Sequence, residues 1–413
     1  MEISQSTYDA LEKEDFSSLD VHEQEIFLSK KILIKEEEAD DYYLEMKFKH
    51  QAMSTSYEIL SLILIPTNGC NFACPYCFEK NKQLIFMSDK VIEDIIQFIK
   101  GHNKARKINI TWYGGEPLLG FSQIRRFYEL FEKNIDIPIL NQSIVTNGYL
   151  LNKEKILFLR DKGIKSMQIT LDGIRENHNK TRCLYPSGKG TFDSIIKNVD
   201  LALELMPECS ISIRVNIKKN NSDDFISLYK SLNDKWMGKN INIYPGFIRE
   251  DTDDGRQLCS ECIKNSEQID FYLSLREKGI DVDLYPKCVT ERGCVINSIN
   301  SYIIGAEGEI YKCWNDVSNR QRIIGYVNDK NLINKTLFYR YMTECSSFTD
   351  SKCTKCNLLP ICQGGCGWYR YRNLYENGDF DVCSMYRENN SLITALKCSM
   401  VKVESKCPTF YVK

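Results

Sequence analysis

Tyr57-Glu58-Ile59-Leu60-Ser61-Leu62-Ile63-Leu64-Ile65-Pro66 runs straight into a loop that carries Cys70-Asn71-Phe72-Ala73-Cys74-Pro75-Tyr76-Cys77. The first stretch is apolar enough to be a buried strand of a parallel sheet. The second puts three cysteines within eight residues beyond that strand's C-terminal end, where α/β barrels carry their chemistry. A [4Fe-4S] cluster is normally held by four thiolates, so three leave one iron open for a ligand that is not protein. Zinc is the competing reading, but structural zinc wants four ligands, usually in paired halves. No fourth ligand lies nearby, and the chain has only 4 histidines.

Downstream, strand and helix patterns alternate as a parallel α/β fold requires. Strands are predicted at 59–66, 107–113, 140–146, 166–172, 209–217 and 240–246, and helices near 88–100, 121–134, 152–162, 191–206 and 222–234. Ser88 and Asn152 have the chemistry of helix N-caps. Ile- and Val-rich strands joined by amphipathic helices favour right-handed βαβ units, and six of them make a partial (β/α)6 barrel.

Composition narrows the function. The 413 residues can bury a large core in two or three domains, and 54 Lys plus Arg against 56 Asp plus Glu give a net charge of −2. No global field therefore recruits nucleic acid or anionic lipid, and no nucleic-acid partner is expected. No apolar run approaches the roughly 20 residues of a membrane span, and the start is acidic rather than a signal peptide, so a cytoplasmic protein is expected. In that reducing compartment 18 cysteines point to metal clusters rather than disulfides.

Further signals fall at strand ends. Gly114-Gly115-Glu116-Pro117 follows the second strand, where paired glycines let a ligand come close to the backbone. Thr146-Asn147-Gly148 and Leu171-Asp172-Gly173 end the next two strands, as turn chemistry or as parts of a site. Ser212, Arg214 and Asn216 share one face of the fifth. After residue 285 comes a second concentration: Cys288-x5-Cys294, Gly308-x4-Cys313, Cys353-x2-Cys356-x5-Cys362-x3-Cys366, and Cys383. Cys259-Ser260-Glu261-Cys262 stands apart in a polar loop and is left outside the site.

C-x-x-x-C-x-x-C with an aromatic residue, here Tyr76, before the third cysteine resembles the signature of the radical SAM enzymes. The resemblance implies that S-adenosylmethionine (SAM) takes the open iron and yields a 5′-deoxyadenosyl radical. It implies that Gly114, Gly115 and Glu116 hold the methionine amino group, and that Arg182 binds the carboxylate, a task a planar guanidinium suits. Tyr76, Asn147, Ser212, Arg214 and Asn216 join them as cofactor contacts. The C-terminal cysteines resemble the SPASM extension of such enzymes. Carried over, Cys288, Cys294, Cys313 and Cys366 hold one auxiliary [4Fe-4S] cluster and Cys353, Cys356, Cys362 and Cys383 a second, three clusters in all.

Auxiliary clusters fully held by protein cannot take SAM, which points to electron transfer and a redox outcome. Two branches of the family fit. Anaerobic sulfatase maturases, which oxidise Cys or Ser to formylglycine, typically carry an aspartate directly after the cysteine matching Cys313. Here that residue is Trp314, with Asp316 further on. Tyr311–Asp316 and Ile63–Thr67 look more like maturases that install thioether or carbon–carbon crosslinks in ribosomally made peptides. The expected partners are a precursor peptide and a reductant such as flavodoxin or ferredoxin, and the candidate bases are Asp172 and Asp316. The expected division is residues 1–56, a helix at Val21–Ser29 and a hairpin of 31–34 with 42–48 that contacts a leader or caps the barrel; 57–284, the radical SAM core; 285–390, the SPASM domain; and 391–413, a helix and tail.

Overall fold

The computed structural model describes residues 4–13, 15–29, 33–77, 83–249, 261–282 and 294–387, with Ser391, Leu392 and Ala395. Cys288, Cys259 and most of the C-terminal tail lie outside the described residues. Three helices come first: α1 (Gln5–Glu12), α2 (Val21–Ser29) and α3 (Ala39–Ser54). The core then alternates β1 (Ile59–Leu64), α4 (Asp89–Gly101), β2 (Lys107–Trp112), α5 (Phe121–Asn134), β3 (Ile139–Thr146), α6 (Lys153–Asp161), β4 (Ser166–Leu171), α7 (Arg175–Thr181), α8 (Phe192–Leu205), β5 (Ser210–Ile217), α9 (Ser222–Lys235) and β6 (Ile241–Phe247). After α10 (Gln268–Glu277) come β7 (Ser301–Ile304), β8 (Glu309–Tyr311), β9 (Gly325–Tyr326), α11 (Lys335–Thr343), α12 (Leu359–Cys362) and α13 (Gly367–Tyr375).

The six predicted strands form, within a residue or two of their expected ends, and lie side by side in chain order, each parallel to the next. This is the expected partial barrel. The predicted caps also form: Ser88 Oγ accepts from Val91 N–H at 3.2 Å and Asn152 Oδ1 from Lys155 N–H at 2.9 Å. On α4 the buried Ile92, Ile95, Ile96 and Ile99 recur at helical spacing and face the sheet.

The strands are less uniformly apolar than a filled barrel requires. On β2 and β4 burial alternates, with Ile108, Ile110, Trp112, Met167, Ile169 and Leu171 packed away from solvent. The opposite face carries polar pairs: Asn109 Nδ2 donates to Ser61 Oγ (3.2 Å), Thr111 and Ser143 hydroxyls meet at 2.9 Å, and Tyr244 donates to Gln168 (2.8 Å). A side-chain period of two thus separates an oily helix-facing layer from a hydrophilic layer that faces the site.

Two features differ from the sequence reading. The stretch 42–48, expected as half of a hairpin, lies within α3. Leu, Glu, Met and Lys are strong helix formers, and Asp40 and Asp41 sit in the first turn, where the helix dipole favours negative charge. The helix docks on the C-terminal region, with Tyr43 and His50 against the Phe348 ring at 6.0 and 5.0 Å. Secondly, β7 pairs in parallel with the free side of β1, and β8 and β9 continue the sheet antiparallel, making nine strands among the described residues. The sheet therefore crosses the boundary expected at 284/285. Asn300 closes this seam by donating from Nδ2 to Tyr57 O and Ile59 O, both at 3.1 Å. Asn300→Ala should lower unfolding free energy by about 1–3 kcal/mol, read by chemical denaturation, because both carbonyls lose a donor.

Candidate active site

The cysteine loop leaves β1 and folds over the end of β2. Gly115 N–H donates to Thr67 O (3.3 Å) and Glu116 N–H to Gly69 O (2.9 Å). A Cβ on Gly114, which has φ 126°, would lie 2.5 Å from Thr67 O, and one on Gly115 would lie 2.3 Å from Gly69 O. The space these glycines leave is filled by the cysteine loop's own backbone. From the other side the segment after α7 straps the loop, with Ala73 N–H donating to Cys183 O (3.2 Å) and Tyr185 N–H to Asn71 O (2.9 Å). Cys70, Cys74 and Cys77 are partly exposed on this loop, and none of them is held in a disulfide. Phe72 between them is buried, and its N–H points at Cys70 Sγ at 3.4 Å.

Glu116 is wholly buried and its carboxylate is used inside the fold. It accepts from Leu118 N–H (3.0 Å), Thr146 Oγ1 (2.7 Å) and Asn147 N–H (2.7 Å), so it joins the ends of β2 and β3. Burial pushes its carboxyl up, and these three donors oppose the rise. Asn147 in turn donates from Nδ2 to Asn71 Oδ1 of the cysteine loop (2.8 Å).

Tyr76, Asp172, Arg182 and Asn216, four candidates from separate parts of the chain, meet in one network. Tyr76 donates to Asp172 Oδ2 at 2.5 Å and accepts from Arg182 Nη1 (3.0 Å) and Asn216 Nδ2 (3.2 Å). Asp172 also accepts from Thr181 Oγ1 (2.7 Å) and Asn216 (3.1 Å), with Arg182 Nη1 at 3.9 Å. Burial raises the Tyr76 hydroxyl's pKa well above its usual value, with Arg182 opposing and Asp172 adding to the rise. Arg214 donates to Asn216 Oδ1 (3.1 Å), in space that Gly246 leaves open, since a Cβ there would lie 2.3 Å from Arg214 Nε. Ser212 lies two residues earlier on β5 and, like Arg214, does not line the cavity described below.

His178, between Asp172 and Arg182 in sequence, fixes the stretch that joins them. Its ring is fully buried, with Nδ1 accepting from Asp172 N–H (3.3 Å) and Nε2 facing Thr191 Oγ1 (3.0 Å), which donates to Arg182 O (2.6 Å). Burial, helped by Arg182, lowers its pKa from 6.5 to about 3.

Around the loop three buried polar atoms have no hydrogen-bond partner among the described residues: Asn68 Oδ1, Asn71 Nδ2 and Arg182 Nε. Such atoms are costly unless a ligand or water satisfies them. Two donors and an acceptor beside three cysteines would fit the polar amino-acid end of SAM, were Cys70, Cys74 and Cys77 to hold a cluster.

These parts open into a cavity of about 1520 Å³. Tyr76, Cys77, Asp172 and Asn216 line one wall, and Asn315–Arg322, Trp368, Arg372 and Glu376 of the cysteine-rich region line another. Asp316 is buried there, accepting from Tyr341 Oη and Trp368 Nε1, both at 2.9 Å, with Arg322 Nε at 3.8 Å. Burial pushes its carboxyl up to about 6 against the pull of Arg322. Trp314 turns its ring edge-on to Tyr113 at 4.4 Å, beside the Gly114–Gly115 turn. Tyr341, Trp368 and Arg322 carried no motif and were not legible in the sequence.

In the cysteine-rich region Cys366 and Cys294 lie close enough to Cys313 to act on its thiol, and Cys294 acts on Cys366. Burial pushes the Cys313 thiol up, with Asp316, Cys366 and Cys294 adding to the rise, and burial with Cys294 raises Cys366. Cys353 interacts with Cys362, and Gly365 packs on the backbone just before Cys383, its missing Cβ only 2.0 Å from Val382 O. Cys356 is free and partly exposed. Among the described residues no three His, Cys, Asp or Glu side chains gather as the ligands of a single ion would.

The Radical SAM superfamily matches residues 64–232, from the end of β1 into α9. The chain carries a radical SAM domain. It is 26% identical over 375 residues to a cysteine-type anaerobic sulfatase-maturating enzyme of Clostridium novyi, covering 81% of this chain and 96% of that one. It is 25% identical over 367 residues to the radical SAM cyclopropyl synthase TigE of Paramaledivibacter caminithermalis, covering 80% of this chain and 72% of that one. Among solved structures, anSMEcpe with bound AdoMet and a peptide shares the fold at TM-score 0.61, with 20% identity over 82% of this chain and 95% of that one. Streptococcus suis SuiB bound to S-adenosylmethionine shares it at 0.56, with 18% identity over 88% and 87%. The protein is an enzyme that carries a radical SAM domain, and it is related to sulfatase-maturating enzymes and to a radical SAM cyclopropyl synthase. That family implies a [4Fe-4S] cluster and SAM.

Glu116→Gln sets an amide among donors that need an acceptor and should cost about 2–3 kcal/mol in chemical denaturation, with less iron taken up on reconstitution. His178 is kept neutral when folded, so the unfolded chain binds the extra proton below pH 6.5 and stability falls as pH drops toward the folded value of about 3. The expected slope is about 1.4 kcal/mol per pH unit, and in His178→Gln the fall between pH 6.5 and 5 should be smaller by that contribution.

Proposed function

We propose that the protein modifies a ribosomally made precursor peptide, taking a hydrogen atom from an unactivated carbon and closing an oxidative crosslink, a thioether C–S or a carbon–carbon bond. The observation that carries this reading is the cavity. At about 1520 Å³ it exceeds the roughly 300–1,000 Å³ of ordinary small-molecule sites, and it joins the cysteine loop to the cysteine-rich region, with room for a peptide segment beside the cofactor.

Cys70, Cys74 and Cys77 would hold the cluster, and SAM bound to it would supply the carbon-centred radical. Gly114, Gly115 and Glu116 seat the loop, while Arg182 and Asn71 offer donors to the cofactor's amino-acid end. Tyr76, Asp172 and Asn216 hold the wall that meets the peptide. The C-terminal cysteines would carry two auxiliary clusters on the far wall, with Cys288, Cys294, Cys313 and Cys366 as one ligand set and Cys353, Cys356, Cys362 and Cys383 as the other. A flavodoxin or ferredoxin would supply electrons. Asp172 and Asp316 are the candidate bases, and of the two Asp316 is the better placed. Its carboxyl is pushed up to about 6 by burial, in the range a general base needs, although Tyr341, Trp368 and Arg322 hold it much as four partners hold Asp172.

A second reading, oxidation of a Cys or Ser to formylglycine, is favoured by the sulfatase-maturating relatives and by a carboxylate in the cavity at Asp316. Against it, the position directly after Cys313 is a tryptophan packed on Tyr113. Anaerobically reduced enzyme with SAM, given short peptides encoded beside its gene and a Cys-containing sulfatase peptide, separates the two by intact mass. A neighbouring peptide that loses the mass of two hydrogens and gains a bond located by fragmentation supports crosslinking. Conversion of the sulfatase peptide alone favours the second reading. Cys74→Ala should abolish 5′-deoxyadenosine formation, and its retention would overturn both.

A further inference from the structure

Arg370 is a buried cation aimed at a sulfur. It projects from α13, is only 4% exposed, and donates from Nη2 to Cys353 Sγ at 3.0 Å. The rest of its guanidinium is taken up on two sides. Nη1 pairs with Asp350, and Nε donates to Gly364 O at 3.2 Å, an oxygen that Nη2 also reaches. Both anchors are built in. Asp350 O accepts from Cys353 N–H at 3.0 Å, so the counter-ion and the cysteine belong to one turn. Gly364 lies in the left-handed run Gln363-Gly364-Gly365 (φ 50°, 89° and 68°) between Cys362 and Cys366, where a Cβ would fall 2.1 Å from Ser347 Cβ. Asp350 and Gly364 O thus hold the guanidinium toward the sulfur from two sides. A second arginine reaches the same set, with Arg387 Nη1 donating to Cys383 Sγ at 2.7 Å.

A structural anchor for a crowded turn needs Asp350 and Gly364 O but not a sulfur, and two arginines from separate segments meeting two sulfurs of one proposed ligand set point to a role at the sulfurs. Thiolates around an iron–sulfur cluster share its negative charge, and reduction adds more. Hydrogen bonds to the sulfurs and nearby positive charge stabilise the reduced form and raise its potential. Charged donors do this more strongly than neutral ones, and more so for a group shielded from water.

We infer that Arg370, assisted by Arg387, raises the reduction potential of the auxiliary cluster held by Cys353, Cys356, Cys362 and Cys383. This rests on the ligand set proposed above. Arg370 is a positioning and tuning residue and does not touch the substrate. Arg387, being exposed, contributes less because solvent screens it.

The test is redox titration of the reconstituted holoenzyme followed by electron paramagnetic resonance, with iron content measured for every variant. Arg370→Gln should shift one auxiliary cluster to a lower midpoint while the SAM-binding cluster stays in place. Arg370→Lys, a point charge without the fork, should keep part of the shift, and Arg387→Gln should move the same cluster less. Should Arg370→Gln fail to take up iron, Arg370→Lys and Arg387→Gln decide the matter. Unmoved midpoints in the arginine variants that carry full iron would overturn the tuning role. Cys356→Ala tests the premise separately: loss of one auxiliary signal upholds the ligand set, and an unchanged signal with unchanged iron would overturn that set and the inference with it.

Discussion

The buried carboxylate of Glu116 and the glycine pair before it govern where everything else in the site can be. Glu116 accepts hydrogen bonds from the ends of two strands, and its own N–H ties the cysteine loop at Gly69. Gly114 and Gly115 allow that contact, because any side chain would strike the loop's carbonyls. Each donor left without its acceptor costs about 1–3 kcal/mol, more than a marginally stable loop can lose several times over. Three thiols on a long loop can serve as one ligand set only when the loop is held, and the end of β2 holds it.

A second layer fixes the other side. Tyr76, between Cys74 and Cys77 in sequence, reaches across to Asp172, Arg182 and Asn216 at the ends of β4, α7 and β5. The neutral His178 sets the backbone at Asp172 and, through Thr191, at Arg182. The cysteine loop is thus clamped from β2 on one side and from the β4–β5 end on the other. The cavity opens between this clamp and the cysteine-rich region, which stays in register because β7 to β9 extend the same sheet.

Much of this was legible from local pattern. Strand positions followed from apolar runs, helix starts from Ser88 and Asn152, and the cysteine loop from spacing, since each signal spans only a few residues. The N-terminal stretch misled for the same reason: alternation over 42–48 resembles a strand, while helix propensity and docking on Phe348 make it part of α3. The role of Glu116 was not readable either, because its partners Thr146 and Asn147 are thirty residues away in sequence.

By itself the sequence determined the chemistry and the class of fold: a parallel α/β array, a three-cysteine loop at a strand end, and a cysteine-rich extension. Those depend on residue types and short spacings, which a linear string carries in full. Only the tertiary structure decided which polar groups are consumed in building the site and which remain for a ligand. It bound Glu116 inside the fold, joined Tyr76 to Asp172, Arg182 and Asn216, and brought Asp316 to the cavity through Tyr341 and Trp368. It also aimed Arg370 at Cys353. Burial and hydrogen-bond partners arise from contacts between distant segments, and no local pattern encodes them.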